Sequence, residues 1–140
     1  MGARHSGREA ALQMLFQLEV SAVDASTVIH LFWRHFESVP EGKDYADEIV
    51  LGVAEKLETI DAEITRASDH WRIERMSRVD RNILRLGTYE LLHQPTVPGP
   101  VILDEAVELA KSFGSEGSSV FVNGVLNKIA DTHQRRGLEG

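Results

Sequence analysis

Apolar side chains recur along the chain every three or four residues, with charged and polar residues between them. This spacing is typical of α-helices that bury one face, whereas a half-buried strand would alternate at every second residue. The longest regular pattern predicts one helix of about 24 residues, close to 36 Å at 1.5 Å per residue. Its apolar positions are Ile49, Val53, Leu57, Ile60, Ile64 and Ala67. Runs of β-branched residues are short, so the pattern predicts an all-α protein.

Capping residues and helix breakers predict where the helices begin and end. Ser6 and Glu9 have the spacing of a capping box, which predicts that the first helix begins at Ser6. Asp24 or Ser26 is suited to cap the second helix, and Ser77 is suited to cap a later one. The connections between helices are short, and this favours antiparallel packing into bundles.

A segment rich in proline and glycine, residues 95–100, interrupts the helical pattern and predicts a loop. A helix from about Val101 to Phe113 should follow it, and Ser118 or Ser119 is suited to open the last helix. With these elements the chain contains about six main helices.

The size and composition of the chain suit one globular domain over residues 1–140. The chain has 140 residues and is 42% hydrophobic, which is enough for one sizeable core. Residues 1–5 are expected to form a flexible basic arm, and residues 135–140 a disordered tail. Cysteine is absent, no apolar run approaches the roughly 20 residues that span a bilayer, and the first residues lack a secretory signal. These features predict a cytoplasmic protein with no membrane contact.

The sequence contains no recognisable catalytic motif. It has no glycine-rich phosphate loop, no Gly-x-Ser-x-Gly elbow and no His-Glu-x-x-His zinc motif. Glu90 and His93 have the Glu-x-x-His spacing of di-iron bundles, but such a site needs two copies and two further glutamates. We therefore expect no enzyme activity, no catalytic residue, no metal site and no cofactor.

The net charge of −7 argues against a protein that coats nucleic acid through a broad basic face, so any RNA contact must be local. Arg4, His5 and Arg8 nevertheless lie at the start of the first helix, where positive charge opposes the helix macrodipole. Two interpretations are open. The residues form either a solvated terminal tail or a short arm that meets RNA phosphates.

A second candidate region lies between the last two helices. Small polar residues separate Lys111 and Phe113 from Phe121 and Asn123. Serines such as Ser118 and the amides of an opening helix can donate to phosphate, and a phenylalanine face can stack on a base. The alternative is that both phenylalanines belong to the core, since each also fits the apolar period of its helix, and the pattern by itself favours this alternative.

Four arginines crowd the region around Ser77, together with the acid Asp80: they are Arg75, Arg78, Arg81 and Arg85. Asp80 either supports the start of this helix or forms a mixed-charge face for a protein partner with Arg75 and Arg78. The arginines could also pair with acids of the following helix. The residues alone leave these alternatives open.

Several segments in order along the chain carry a resemblance to a known family. They are Arg8–Gln17, Tyr45–Val53, Asp80–Leu86 with Tyr89–Leu91, Asp104–Gly114 and Phe121–Lys128. Together they resemble the NusB family of bacterial antitermination factors, and the resemblance covers essentially the whole chain.

The resemblance implies a NusB-like all-α fold of about six to seven helices in two small antiparallel bundles. It also implies a factor that pairs with the ribosomal protein NusE and binds boxA single-stranded RNA. The complex would associate indirectly with RNA polymerase and other Nus factors and support antitermination on ribosomal RNA operons. No cofactor is implied.

The family pattern also implies roles for individual positions. The matched partner position is Asp80. The matched RNA positions are Arg4, Arg8, Phe16, Phe113, Phe121 and Asn123.

Three positions depart from the family pattern. His5 and Ser6 stand where further cations are expected, and Gly117 stands where an aspartate is familiar. RNA affinity without NusE is therefore expected to be weak. The alternative function is a helical protein-protein adaptor or a homodimer with no direct RNA binding.

Overall fold

The computed structural model describes residues 2–69 and 71–136, and over those ranges the chain is helical with no strand. The prediction of an all-α fold is confirmed. The described helices are α1 (Ala3–Val20), α2 (Ala25–Trp33), α3 (Lys43–Glu55), α4 (Leu57–Ala67), α5 (Arg78–His93), α6 (Gly99–Phe113) and α7 (Ser118–Thr132), with a 3-10 turn at Ile73–Arg75. No helix in this described part has the length and apolar character needed to cross a membrane.

The chain divides into two compact units, which we call the amino-terminal unit (Met1–Lys56) and the carboxy-terminal unit (Leu57–Gly140). The boundary falls inside the long helix that the sequence predicts, and that prediction is wrong. The backbone of Lys56, at φ −109° and ψ 25°, leaves the helical region between α3 and α4. The apolar period continues across this break in the sequence, but Leu57, the apolar residue directly after it, is 38% exposed. The spacing of apolar residues says nothing about whether the helix axis is continuous.

Helix α1 begins at Ala3, three residues before the predicted capping box, and no side chain caps it. Ser6 is therefore not the start of the helix. Residues 3–5, expected in a flexible arm, form its first turn, and Met1 lies outside the described residues. The reason is tertiary, because the carbonyl oxygen of Ala3 packs closely against Gly42.

Small residues allow α1 and α3 to approach closely in the amino-terminal unit. A Cβ atom added to Gly7 would lie 2.8 Å from the carbonyl oxygen of Gly42, and Gly42 itself has a positive φ of 95°. Ala11 and Ala46 are fully buried along the same contact. Larger side chains at these positions would push the helices apart.

Buried aliphatic side chains of α4, α5, α6 and α7 form the core of the carboxy-terminal unit. The largest are Ile60, Ile64, Ile83, Leu84, Leu86, Leu91, Ile102, Leu126 and Ile129. Ser77 caps α5 as predicted, since its hydroxyl oxygen accepts the backbone N–H of Asp80 at 3.1 Å. Gly87 lets α5 approach α7, because a Cβ atom there would lie 2.8 Å from Leu126 Cδ1.

The end of the described chain is held against α5. The Arg135 guanidinium donates to the carbonyl oxygens of Leu91, Gln94 and Val97. Arg135 was expected in a disordered tail with residues 136–140, of which 137–140 lie outside the described residues. Helix α6 begins at Gly99, earlier than the predicted Val101, and a Cβ atom at Gly99 would overlap the backbone of Arg135.

Candidate nucleic-acid interface

The candidate residues divide between the two units, and the amino-terminal unit contributes a pair of arginines on α1. Arg4 is exposed, and its Cζ atom lies 5.5 Å from the centroid of the Tyr45 ring. Arg8 lies one turn further along, 5.7 Å from the same ring, but only 2% of it is exposed. The prediction of an accessible cation at Arg8 is therefore wrong, because the side chain packs inside the unit. Arg4 is the cation of this pair that a phosphate can reach.

Phe16 lies further along α1 and is half-buried. Its neighbours Met14 and Leu15 are buried, so this part of the helix faces the core of the unit. The Phe16 side chain is therefore partly packed against the core and partly exposed at the surface. A half-buried ring of this kind is held in place and can still offer a face to a base.

The loop between α6 and α7 is short and tightly built. The N–H of Ser115 donates to the Ser118 hydroxyl at 3.1 Å, and Gly117 adopts a left-handed φ of 91°. At Gly114 a Cβ atom would lie 2.6 Å from the same hydroxyl. Ser118 is only 2% exposed, so its side chain organises the loop and offers almost no surface to a ligand. The expectation that Ser118 donates directly to phosphate requires an accessibility that this structure does not provide.

The residues on either side of the loop are accessible. Phe113 is 37% exposed at the end of α6, and Phe121 is half-buried on α7. The core assignment that the apolar period favours is thus wrong for Phe113, which keeps more than a third of its surface exposed. Lys111 and Asn123 are also exposed. This part of the unit combines an open aromatic ring, a cation and an amide.

A shallow groove of about 230 Å³ lies beside Phe121 on the surface of α7. Gly124 and Val120 line it, and Val120 is 77% exposed. Lys128 lies at its edge, where its Nζ atom is 3.3 Å from each carboxylate oxygen of Asp69. The groove therefore places a cation within two helical turns of the Phe121 ring.

Sequence reasoning does not select Val120, Lys128 or the 53% exposed Trp71. For Lys128 a signal was available, because Phe121, Gly124 and Lys128 share one helix face by their spacing of three and four residues. Val120 carries no such signal, because an apolar residue on a helix is ordinarily assigned to the core.

The four arginines near Ser77 have two different roles. Arg81 donates to the carbonyl oxygens of Ile73 and Met76 at 3.1 and 2.9 Å, and it thereby holds the 3-10 turn. Arg85 makes a two-point ion pair with Asp61 of α4, with both N–O distances at 2.9 Å. Asp61 belongs to α4, the helix that precedes α5.

Arg75 and Arg78 are exposed, and Asp80 is partly buried. One carboxylate oxygen of Asp80 is buried and has no hydrogen-bond partner. Next to this region Arg72 donates to Glu74 at 2.6 Å, and the hydrogen bond holds the pKa of that carboxyl below its ordinary value. The surface therefore presents mixed charge of the kind that a protein partner can recognise.

No group of three or more histidine, aspartate or glutamate side chains that could hold a metal ion occurs within residues 2–69 and 71–136. Glu90 is fully buried in α5, and His93 lies one turn later with its ring 5.2 Å from that of Tyr89. These two residues belong to the packing of α5.

Comparison with solved structures places this helical arrangement in one class of protein. The fold matches T. maritima NusB with a TM-score of 0.83 and 39% identity, over 91% of this chain and 90% of the other. It also matches a chain in the crystal structure of the antitermination factors NusB and NusE in complex with dsRNA. For that chain the TM-score is 0.83 and the identity is 25%, and the match covers 93% of this chain and 97% of the other. The class is that of NusB-like helical proteins.

Comparison of sequences identifies the same class of protein, with higher identity than the structural matches. The NusB family model matches residues 5–131. The transcription antitermination protein NusB of Sorangium cellulosum is 60% identical over 131 residues, which cover 94% of each chain. The corresponding protein of Myxococcus xanthus is 46% identical over 134 residues, covering 93% of this chain and 96% of the relative. The chain belongs to the NusB family of transcription antitermination proteins, a family not known for enzyme activity.

Proposed function

We propose that this protein is a transcription antitermination factor that binds boxA single-stranded RNA together with the ribosomal protein NusE. The complex acts in the cytoplasm, joins RNA polymerase and other Nus factors indirectly, and supports antitermination on ribosomal RNA operons. Membership of the NusB family supports this proposal, as does the solved complex of NusB and NusE with RNA to which the fold is similar.

One observation carries the RNA part of the proposal. Phe113 leaves 37% of its surface exposed beside the tight loop before α7, although it fits the apolar period of α6. The exposed ring ends α6, Lys111 lies two residues before it, and the amino end of α7 with Asn123 follows the loop, so this stretch of chain carries groups for stacking, charge and hydrogen bonding. Stacking on such a ring contributes ~1–3 kcal/mol per base.

The remaining RNA residues take direct or supporting roles according to their exposure. Arg4 contacts phosphate, and Phe16 and Phe121 present partly open ring faces. Arg8 and Ser118 are buried, so they position their surroundings, Arg8 through Tyr45 and Ser118 through the loop.

NusE binds the surface formed by Arg75, Arg78 and Asp80. Membership of the NusB family supports this assignment, because Asp80 is the position that the family resemblance matches to the partner surface. The exposed arginines beside it would select a partner surface of complementary charge.

The test is a titration of fluorescently labelled boxA RNA with the full chain, with and without NusE. A scrambled strand is the sequence control. A duplex of boxA with its complement is a further arm, because the solved complex of NusB and NusE contains double-stranded RNA. We expect tighter binding to boxA than to either control, and a further gain when NusE is present.

Phe113→Ala should weaken boxA binding by about fivefold to about a hundredfold, which corresponds to the loss of one stacked base. Val101→Ala is the matched control, since Val101 is an apolar residue of α6 that is 42% exposed. If neither titration separates boxA from the scrambled strand, the protein is an adaptor or homodimer without direct RNA binding.

A further inference from the structure

An aromatic groove of about 210 Å³ lies on the amino-terminal unit, and none of the candidate RNA residues lines it. Phe32, Trp33 and Phe36 form one wall, with ring centroids 4.9 to 5.5 Å apart. Glu9 of α1 and Glu41 of the segment before α3 line the same groove. The proposed antitermination function makes no use of this site.

Hydrogen bonds hold parts of the aromatic wall in place. The indole N–H of Trp33 donates to Asp47 at 2.7 Å, and Lys43 donates to the other oxygen of the same carboxylate at 2.6 Å. Phe36 follows the end of α2 in a tight turn, where its N–H donates to the carbonyl oxygen of Trp33 at 3.1 Å. The Trp33 ring is thus held in place before any ligand arrives, which lowers the entropy cost of binding against it.

The groove combines exposed ring surface with negative charge. Phe36 is 43% exposed, although its ring lies beside the rings of Phe32 and Trp33. Glu41 is exposed, and Glu9 lies 3.7 Å from His5 Nε2 with much of its side chain open to solvent. Residues 1–56 contain nine acidic and five basic side chains, a net charge of −4. Such a surface attracts cations and repels the phosphates of RNA.

We propose that this groove binds an arginine side chain from a basic segment of a partner protein. The planar guanidinium stacks on an aromatic face and pairs with carboxylates in two-point geometry, so it uses both features of the groove at once. An ammonium group is compact and strongly hydrated, and it matches the flat wall less well. A nucleic-acid base would stack on the rings but would bring its phosphate towards Glu9 and Glu41.

The test uses the full chain and a capped peptide, acetyl-Gly-Arg-Gly-amide. The Trp33 indole N–H is followed by NMR, because it is part of the groove and separate from the exposed Trp71. A saturable shift is expected with the arginine peptide. The same peptide with citrulline, which keeps the shape and removes the charge, should bind at least about fivefold more weakly. Equal binding of the two peptides would overturn the proposal.

Two variants test the two features of the groove separately. Phe36→Leu keeps apolar bulk and removes the ring, and Glu41→Gln removes one charge. Each should weaken the arginine peptide by at least about threefold. Glu37→Gln is the charge control, since Glu37 is exposed nearby and does not line the groove, and it should leave binding unchanged.

An unchanged affinity in Phe36→Leu would rule out recognition by the aromatic ring. Adenosine monophosphate is the competing ligand. If it shifts the Trp33 resonance while the arginine peptide does not, the groove is a base-stacking site and the proposal is wrong.

Discussion

Arg8 lies near the start of α1 and is almost completely buried, with its guanidinium against the ring of Tyr45. From sequence it looks like a solvated charge, because a positive residue at that end of a helix gains nothing from the macrodipole. Packing decides otherwise, since the aliphatic part of the side chain fills space and the charged head meets an aromatic face.

Arg8→Ala should therefore destabilise the protein by about 1–3 kcal/mol, because it removes buried packing and the contact with Tyr45. The matched control is Arg4→Ala. This residue faces the same ring from an exposed position and should change stability by less than about 0.5 kcal/mol. Urea unfolding of both variants measures the difference. Equal stability of Arg8→Ala and the parent chain would mean that the burial of Arg8 contributes nothing.

At the scale of single elements, the start of α5 bears on the two interpretations of Asp80, as a support for the helix start and as part of a partner surface. The capping bond runs from the backbone N–H of Asp80 to the Ser77 hydroxyl, so it does not depend on the Asp80 side chain. Ser77→Ala should then cost about 0.5–2 kcal/mol of stability, the range for loss of a helix cap. Ser26→Ala is the control, since Asp24 and not Ser26 caps α2.

Asp80→Asn should leave stability nearly unchanged and weaken NusE binding by at least about fivefold, because the carboxylate would meet the partner. Thermal unfolding and a NusE titration on the same variant check both parts. A variant that loses stability and binds NusE normally would assign Asp80 to the support of α5 instead.

A contact between Glu63 of α4 and His133, the residue that follows α7, should respond to pH. Burial of Glu63 raises the pKa of its carboxyl, but hydrogen bonds from His133 and Arg66, at 3.0 and 2.8 Å, outweigh it and hold the pKa below the usual 4.5. A lowered pKa in the folded state means that the stabilisation is fully present above pH 4.5 and is lost as pH falls through the folded-state value.

Glu63→Gln should accordingly lose stability at neutral pH and show a flatter decline below pH 4.5 than the parent chain. Chemical denaturation at a series of pH values measures both slopes. If the variant and the parent chain decline in parallel, acid unfolding does not depend on this pair.

The whole molecule has a net charge of −7, so RNA must be bound by a few cations. Of the cationic RNA positions taken from the sequence, Arg4 and Lys111 are exposed and Arg8 is not, while Lys128 adds one beside Phe121. Two to three phosphate contacts predict a slope of log affinity against log salt between about −1.4 and −2.1 for a single strand. A slope near zero would exclude Arg4 and Lys111 as phosphate contacts, and a much steeper one would require further cations.

Much of the fold could be predicted from sequence, because it depends on local rules. The apolar period identified the helical class, and Ser77 and Asp24 capped their helices as their chemistry predicts. The errors arose where a distant contact decided the outcome. The close approach of Ala3 and Gly42 moved the start of α1, and the turn at Lys56 divided one predicted helix into two.

The candidate site was less predictable than the fold. Sequence patterns identified the residue types and the family resemblance selected positions, but neither could distinguish an exposed ring at Phe113 from a buried one. Periodicity assigns a residue to a face, while exposure depends on which neighbour covers that face.

The sequence by itself determined the helical class, the caps of α2 and α5, the local character of any RNA contact and the family. Each of these depends on residues near one another along the chain, on total charge, or on an ordered series of motifs. Only the tertiary structure decided that Arg8 and Ser118 are buried, that Arg4 and Phe113 are accessible, and that an aromatic groove carries acidic residues. These properties arise when distant segments pack together, and no local pattern contains them.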